Sequence, residues 1–174
     1  MYRSVKYKHL WTYNMATENK NLSTYDKATL PQVKGKSVGI ITSQWNAMIT
    51  ENMRKGAVET LLDCGVLPEN ILQWSVPGAF ELVNGAKRML LSKSVDAVIV
   101  IGCVIQGETK HFDFVCQGVT QGIAYLNATQ PVPVIFCLLT DNTLQQSIDR
   151  SGGKHGNKGI EAAITAIQMI DLEK

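Results

Sequence analysis

AVIVIGCVI, residues 97–105, followed by QGETKHFDFV, residues 106–115, is the stretch on which the fold turns. The first nine residues are almost uniformly apolar, without the polar alternation of a half-exposed strand, which suits a strand covered on both faces in a parallel sheet. VPVIFCLLT (residues 132–140) has the same character, and a helical period over Phe114–Leu126 lies between the two. Upstream, Ser37–Ser43 and Ile71–Val76 read as further strands. Ile49–Gly65, with apolar residues at Ile49, Met53, Ala57, Val58, Leu61 and Leu62, reads as a helix, as does Phe80–Leu91. Leu144–Arg150 and Lys158–Leu172 add two helices at the end. This alternation predicts a three-layer α/β/α domain on a four-stranded parallel sheet. No internal repeat is visible.

The chain has 174 residues, 45% hydrophobic and 18% charged, which fits one domain. Its formal charge of +2 arises from 17 basic and 15 acidic residues, far from a nucleic-acid footprint. No apolar run approaches the roughly 18 residues of a membrane-spanning helix. Neither nucleic acid nor membrane is expected as a partner. The basic excess sits in residues 1–14, which hold Arg3, Lys6 and Lys8 and no acid, so the rest is 14 basic against 15 acidic. Residues 1–14 are read as an upstream extension, 15–36 as a polar, aperiodic N-terminal arm, and 37–174 as the domain. Cys64, Cys103, Cys116 and Cys137 form no CxxC and no zinc-finger spacing. Buried free thiols in a reducing cytoplasm are the expectation.

In an open parallel sheet, ligands bind outside the carboxyl ends of the strands. Those ends carry Trp45 and Asn46, then Pro77 to Glu81, then Gln106 to His111, then Thr140 to Asn142. Gly107 and Thr109 just before a helix offer free N–H groups and a positive helix end to a phosphate. There is no GxxxxGK[ST] and no GxGxxG, so ATP hydrolysis and dinucleotide binding lose their usual support. A histidine side chain suits acid–base work at a carbonyl or imine, which makes His111 a candidate, though a capping or surface histidine would look the same. Arg150 and Lys158 flank a loop holding Gly152, Gly153, Gly156 and Gly159, either a cationic phosphate clamp or a solvated turn. Trp45 presents a stacking face or anchors the core, and Glu81 accepts hydrogen bonds or sits as a helix N-terminal charge. Phe136 is expected to be buried in the fourth strand of a monomer. No nucleophile elbow, glycosidase carboxylate pair or histidine-rich metal set is present. The residues themselves point to an α/β domain that binds an anionic, aromatic small molecule.

SQWNAMITENMRKGA, SVPGAFELV, IGCVIQGETKHFDFV and PVIFCLLTDNTLQQSIDRSGGKHGNKGIEAA together resemble the lumazine synthase family, in its order and spacing, from about residue 37 onward. The resemblance implies a flavodoxin-like domain and a transferase of riboflavin biosynthesis. Its reaction condenses 5-amino-6-(D-ribitylamino)uracil with 3,4-dihydroxy-2-butanone 4-phosphate, two small-molecule substrates, without metal or redox cofactor. Trp45 would then stack on the pyrimidine, and Ala79, Phe80 and Glu81 would line the ribityl site. Cys103, Val104 and Ile105 would meet the ring through backbone atoms. Glu108, Thr109 and Arg150 would bind phosphate, His111 would move protons, and Phe136, Lys158 and Arg150 would come from a neighbouring subunit. The family forms pentamers or icosahedral shells of sixty subunits, with the arm added to a neighbour's sheet, and riboflavin synthase is an implied partner. The Arg150–Lys158 loop lacks the insertion of non-shell members, which favours the shell.

Three positions depart from the family pattern: Cys137 for a common glycine, Gln106 for a frequent basic residue, and Trp45 for the commoner phenylalanine, which suggests retention of flavins. The competing expectations are a non-catalytic flavin- or lumazine-binding homologue and a plain phosphate-binding module.

Overall fold

Strand β3 (Ala97–Ile105) lies inside the sheet, flanked by β1 (Val38–Ser43) and β4 (Val134–Asp141), with β2 (Ile71–Val76) beyond β1. All pairings are parallel; Val38 aligns with Ile71 and Ala97, and Ile99 with Ile135. The structure, a computed structural model, describes residues 23–172. The upstream extension 1–14 and residues 15–22 of the arm lie outside the described residues.

The apolar run of β3 proves to be an alternation between two cores. Ala97, Ile99, Ile101 and Cys103 join Val38 and Ile40 on the face covered by α1 (Ala47–Asp63) and α5 (Lys158–Ile170). Val98 and Val100 join Ile41 on the face covered by α2 (Leu82–Ser92) and α3 (His111–Thr129). With both faces covered, every residue of β1 is buried. The first core is closed by an intimate helix crossing: a Cβ at Gly159 of α5 would run into the backbone carbonyl of Met53 in α1. The glycine near the end of the glycine-rich loop thus serves helix packing, and not the approach of a ligand.

Two helices start elsewhere than their apolar periodicity suggests. Helix α3 begins three residues early, at His111, because its first turn is polar: Asp113 carries no apolar signal but suits the positive helix end. Helix α2 begins at Leu82, leaving Phe80 and Glu81 in the turn before it. The sequence reading also missed a short antiparallel hairpin, β5 (Ser151–Gly153) with β6 (Gly156–Asn157), joining the seven-residue α4 (Leu144–Arg150) to α5.

Residues 23–36 pack on their own chain. Val33 is fully buried, Tyr25 donates its hydroxyl to Asp63 at 2.9 Å, and Lys27 reaches the same carboxylate at 3.3 Å. Asp96 receives Lys36 Nζ and the Ser37 N–H, each at 2.8 Å. Burial works to raise the Asp96 pKa, but the hydrogen bond and charge of Lys36, with the Ser37 N–H, outweigh it and hold the carboxyl below its ordinary value. No helix among the described residues is long and apolar enough to cross a membrane.

Candidate active site

The strand order reverses between β1 and β3, the chain running from β1 outward to β2 and then back to β3 and β4. A crevice opens at the carboxyl ends of such a pair. There the β1–α1 turn is tied down by Asn46, which sits in the left-handed region (φ 57°, ψ 46°) and donates its side-chain amide to the Cys103 carbonyl at 3.0 Å. Asparagine tolerates that backbone better than most residues. The turn leaves Trp45 72% exposed, which excludes the core-anchor reading. Trp45 and Asn46 line a cleft of about 730 Å³ together with Ala79, Phe80, Glu81, Cys103, Val104, Ile105 and His111. A Cβ at Gly78 would lie 2.9 Å from Glu81 Oε2 and 3.5 Å from the Trp45 ring, so the indole and carboxylate converge over that glycine. His111 is the first residue of α3, where its backbone N–H meets Thr109 Oγ1 at 3.4 Å.

A second cleft, of about 670 Å³, runs along the outer edge of β4 and is lined by Phe136, Arg150 and Lys158 among others. It shares no lining residue with the first. Phe136 corrects the expectation of burial: it is 42% exposed, because β4 is an edge strand whose positions 136 and 140 no helix covers. The cations here come with acids. Lys158 Nζ lies 2.7 Å from Glu161 Oε2, and Arg150 Nε lies 4.0 Å from Asp141 Oδ1 while its Nη1 donates to the Gln146 carbonyl at 3.0 Å.

Local caps set where these cations fall. Thr143 and Gln146 form a reciprocal capping box at the start of α4, which phases Arg150 into its last turn. Asn157 accepts from Gly159 N–H at 2.8 Å and donates to the Asn52 carbonyl at 2.9 Å, so Lys158 opens α5. The thiols are unsuited to nucleophilic work: all four cysteines are free, burial raises the Cys103 pKa, and burial pushes Cys137 up to about 12. Among the described residues no group of three or more His, Cys, Asp or Glu side chains is placed to hold a metal ion.

Residues 35–174 match the protein-family profile described as 6,7-dimethyl-8-ribityllumazine synthase. A protein of that name from Flavobacterium johnsoniae is 66% identical over 160 residues, covering 92% of this chain and 84% of its own length. Its namesakes from Christiangramia forsetii and Parabacteroides distasonis are 58% and 54% identical, over 92% and 91% of this chain and 96% and 99% of theirs. The chain belongs to the lumazine synthase family. Its three-layer architecture, with strand order β2-β1-β3-β4, is the flavodoxin-like fold expected.

Against that family, all but two of the site residues inferred from sequence divide between the two clefts. Trp45, Ala79, Phe80, Glu81, Cys103, Val104, Ile105 and His111 meet in the first cleft, and Phe136, Arg150 and Lys158 in the second. Glu108 and Thr109 line neither and stand exposed in the β3–α3 loop. Sequence reasoning set Asn46 and Asp141 at strand ends without a role, and missed Ser147. A T-x-x-Q capping signature at Thr143–Gln146 was there to be read, but the hydrogen bonds of Asn46 to Cys103 and of Ser147 to Asp141 leave no local signal.

Proposed function

We infer that the chain condenses 5-amino-6-(D-ribitylamino)uracil with 3,4-dihydroxy-2-butanone 4-phosphate, giving 6,7-dimethyl-8-ribityllumazine, phosphate and water, the penultimate step of riboflavin biosynthesis. The observation that carries this reading is the match to the family along residues 35–174. The pyrimidine lies in the first cleft, its ring on Trp45, its ribityl chain toward Ala79, Phe80 and Glu81, and its polar edge toward the backbone of Cys103, Val104 and Ile105. The phosphate is held by Glu108 and Thr109 of the β3–α3 loop and by Arg150. The amine attacks the ketone and loses water to give an imine. Phosphate then leaves by β-elimination, and the ribityl-bearing nitrogen closes the ring with loss of a second water. Every step moves protons and none needs a protein nucleophile, so His111 serves as proton carrier and positioning supplies much of the acceleration.

Two clefts without a common lining residue support a site shared between subunits, in which Trp45 and His111 of one protomer face Phe136, Arg150 and Lys158 of the next. The working particle is a pentamer or a sixty-subunit icosahedral shell. The short Arg150–Lys158 connection favours the shell, and riboflavin synthase is the partner that takes the product. Free cysteines suit a cytoplasmic setting. The test mixes both substrates with the protein, follows lumazine absorbance and records particle mass in the same sample. Product from an oligomer is expected; an assembled particle that binds lumazine without turnover would mark a non-catalytic homologue, and an inactive monomer a plain phosphate-binding module.

A further inference from the structure

A buried chain of hydrogen bonds runs behind Arg150. The Cys103 thiol donates to Ser147 Oγ at 3.4 Å, and Ser147 Oγ donates to Asp141 Oδ2 at 2.8 Å. The other carboxylate oxygen, Oδ1, faces Arg150 Nε at 4.0 Å. Ser147 is fully buried and the Asp141 side chain is only 11% exposed, so these groups exchange partners with water poorly. Asp141 is also fixed through its backbone: it ends β4 opposite Ile105, and its carbonyl accepts the Gln106 N–H at 2.9 Å. A carboxylate clamped at both ends of its residue is an unusual thing to find beside a cation meant for a phosphate. By charge alone it weakens anion binding.

We propose that Asp141, oriented from within by Ser147, is a positioning residue that fixes the Arg150 guanidinium for the substrate phosphate. Arg150 is one-third exposed on its side chain, and a long side chain at the end of a seven-residue helix has many rotamers to lose on binding. The Gln146 carbonyl, hydrogen-bonded at Nη1, and the Asp141 charge, 4.0 Å from Nε, bias that choice beforehand and leave the remaining N–H groups of the fork for the ligand. The inference rests on the reading of Arg150 as a phosphate ligand.

The sign of one substitution separates positioning from charge. Asp141→Asn keeps the shape and an acceptor for Ser147 but removes the charge facing Arg150. Charge alone predicts a lower KM for the phosphorylated substrate; positioning predicts a rise of about fivefold, the scale of a partly exposed ion pair. The KM for the pyrimidine should not move. Ser147→Ala, which keeps the ion pair but frees the carboxylate, should raise the same KM about twofold. On an Arg150→Ala background, Asp141→Asn should have almost no further effect, since residues acting through one group are not additive. An unchanged or lower KM in Asp141→Asn, or full additivity with Arg150→Ala, overturns the proposal. Arg150→Ala with an unaltered KM instead overturns the phosphate reading on which it stands. Particle mass and melting temperature accompany each variant. If Asp141→Asn does not assemble, Ser147→Ala decides, an unmoved KM counting against positioning.

Discussion

The two clefts use opposite means. The first is built where two parallel strands part, and its walls are largely aromatic rings and strand-end backbone, with Glu81 and His111 beside them. The second lies on the sheet's edge, along a largely apolar stretch of β4, and adds two cations, Arg150 and Lys158, each set against an acid. A flat, neutral ring wants stacking and backbone hydrogen bonds, whereas a phosphate wants fixed cations. On the proposed reading, one subunit carries recognition for both substrates, in clefts that share no lining residue.

The sharpest way to break this division is through catalysis. His111→Ala should lower kcat on the order of 10²-fold yet leave measurable turnover, because positioning survives the loss of the proton carrier. Steady-state turnover equal to the unaltered protein would remove His111 from the mechanism. Next in size, Arg150→Ala should raise KM for the phosphorylated substrate about tenfold, as expected for a lost charge-assisted hydrogen bond, and leave that for the pyrimidine in place. An equal change in both constants would erase the distinction between the clefts.

Smaller again, Trp45→Ala should weaken pyrimidine binding about fivefold or more, the range of a base–aromatic stack, and abolish the quenching of flavin fluorescence that the wide indole is expected to produce. Flavin that is not quenched by the unaltered protein would refute the retention of flavins. The mildest test lies outside both clefts. Asp96 has a folded pKa below its ordinary 3.8, so its contribution to stability is present above that value and is lost as pH falls through the lower folded one. Asp96→Asn should therefore lower the melting temperature at pH 7, the difference should close toward pH 3, and neither KM should respond.

The fold was legible because continuous apolar strands admit few arrangements in a chain of this length. AVIVIGCVI can be satisfied only by cover on both sides, and the intervening helical periods supply that cover. Element boundaries blurred where polarity was local: Asp113 suits the positive end of the helix that His111 opens, and apolar periodicity does not register such a preference. The first cleft was legible for a topological reason, since ligands gather at strand carboxyl ends. Phe136 was misread because exposure on an edge strand depends on how far a neighbouring helix reaches, and nothing in VPVIFCLLT records that. Asp141 and Asn46 stood at strand ends without an assigned role, and Ser147 escaped notice, because their meaning lies in partners. Cys103 and Ser147 are 44 positions apart, and only folding puts thiol beside hydroxyl.

Trp45, Phe80, Phe114 and Phe136 all stand open on a single subunit, from 42% to 72% exposed. Under the proposed assembly, rings that a neighbouring subunit or a substrate would cover are adhesive on a newly synthesised chain. Dilution should then do more than slow the enzyme: it should raise the share of orphan subunits that clump or are captured by chaperones, so that yield in the cell depends on how fast subunits meet as much as on how well each one folds.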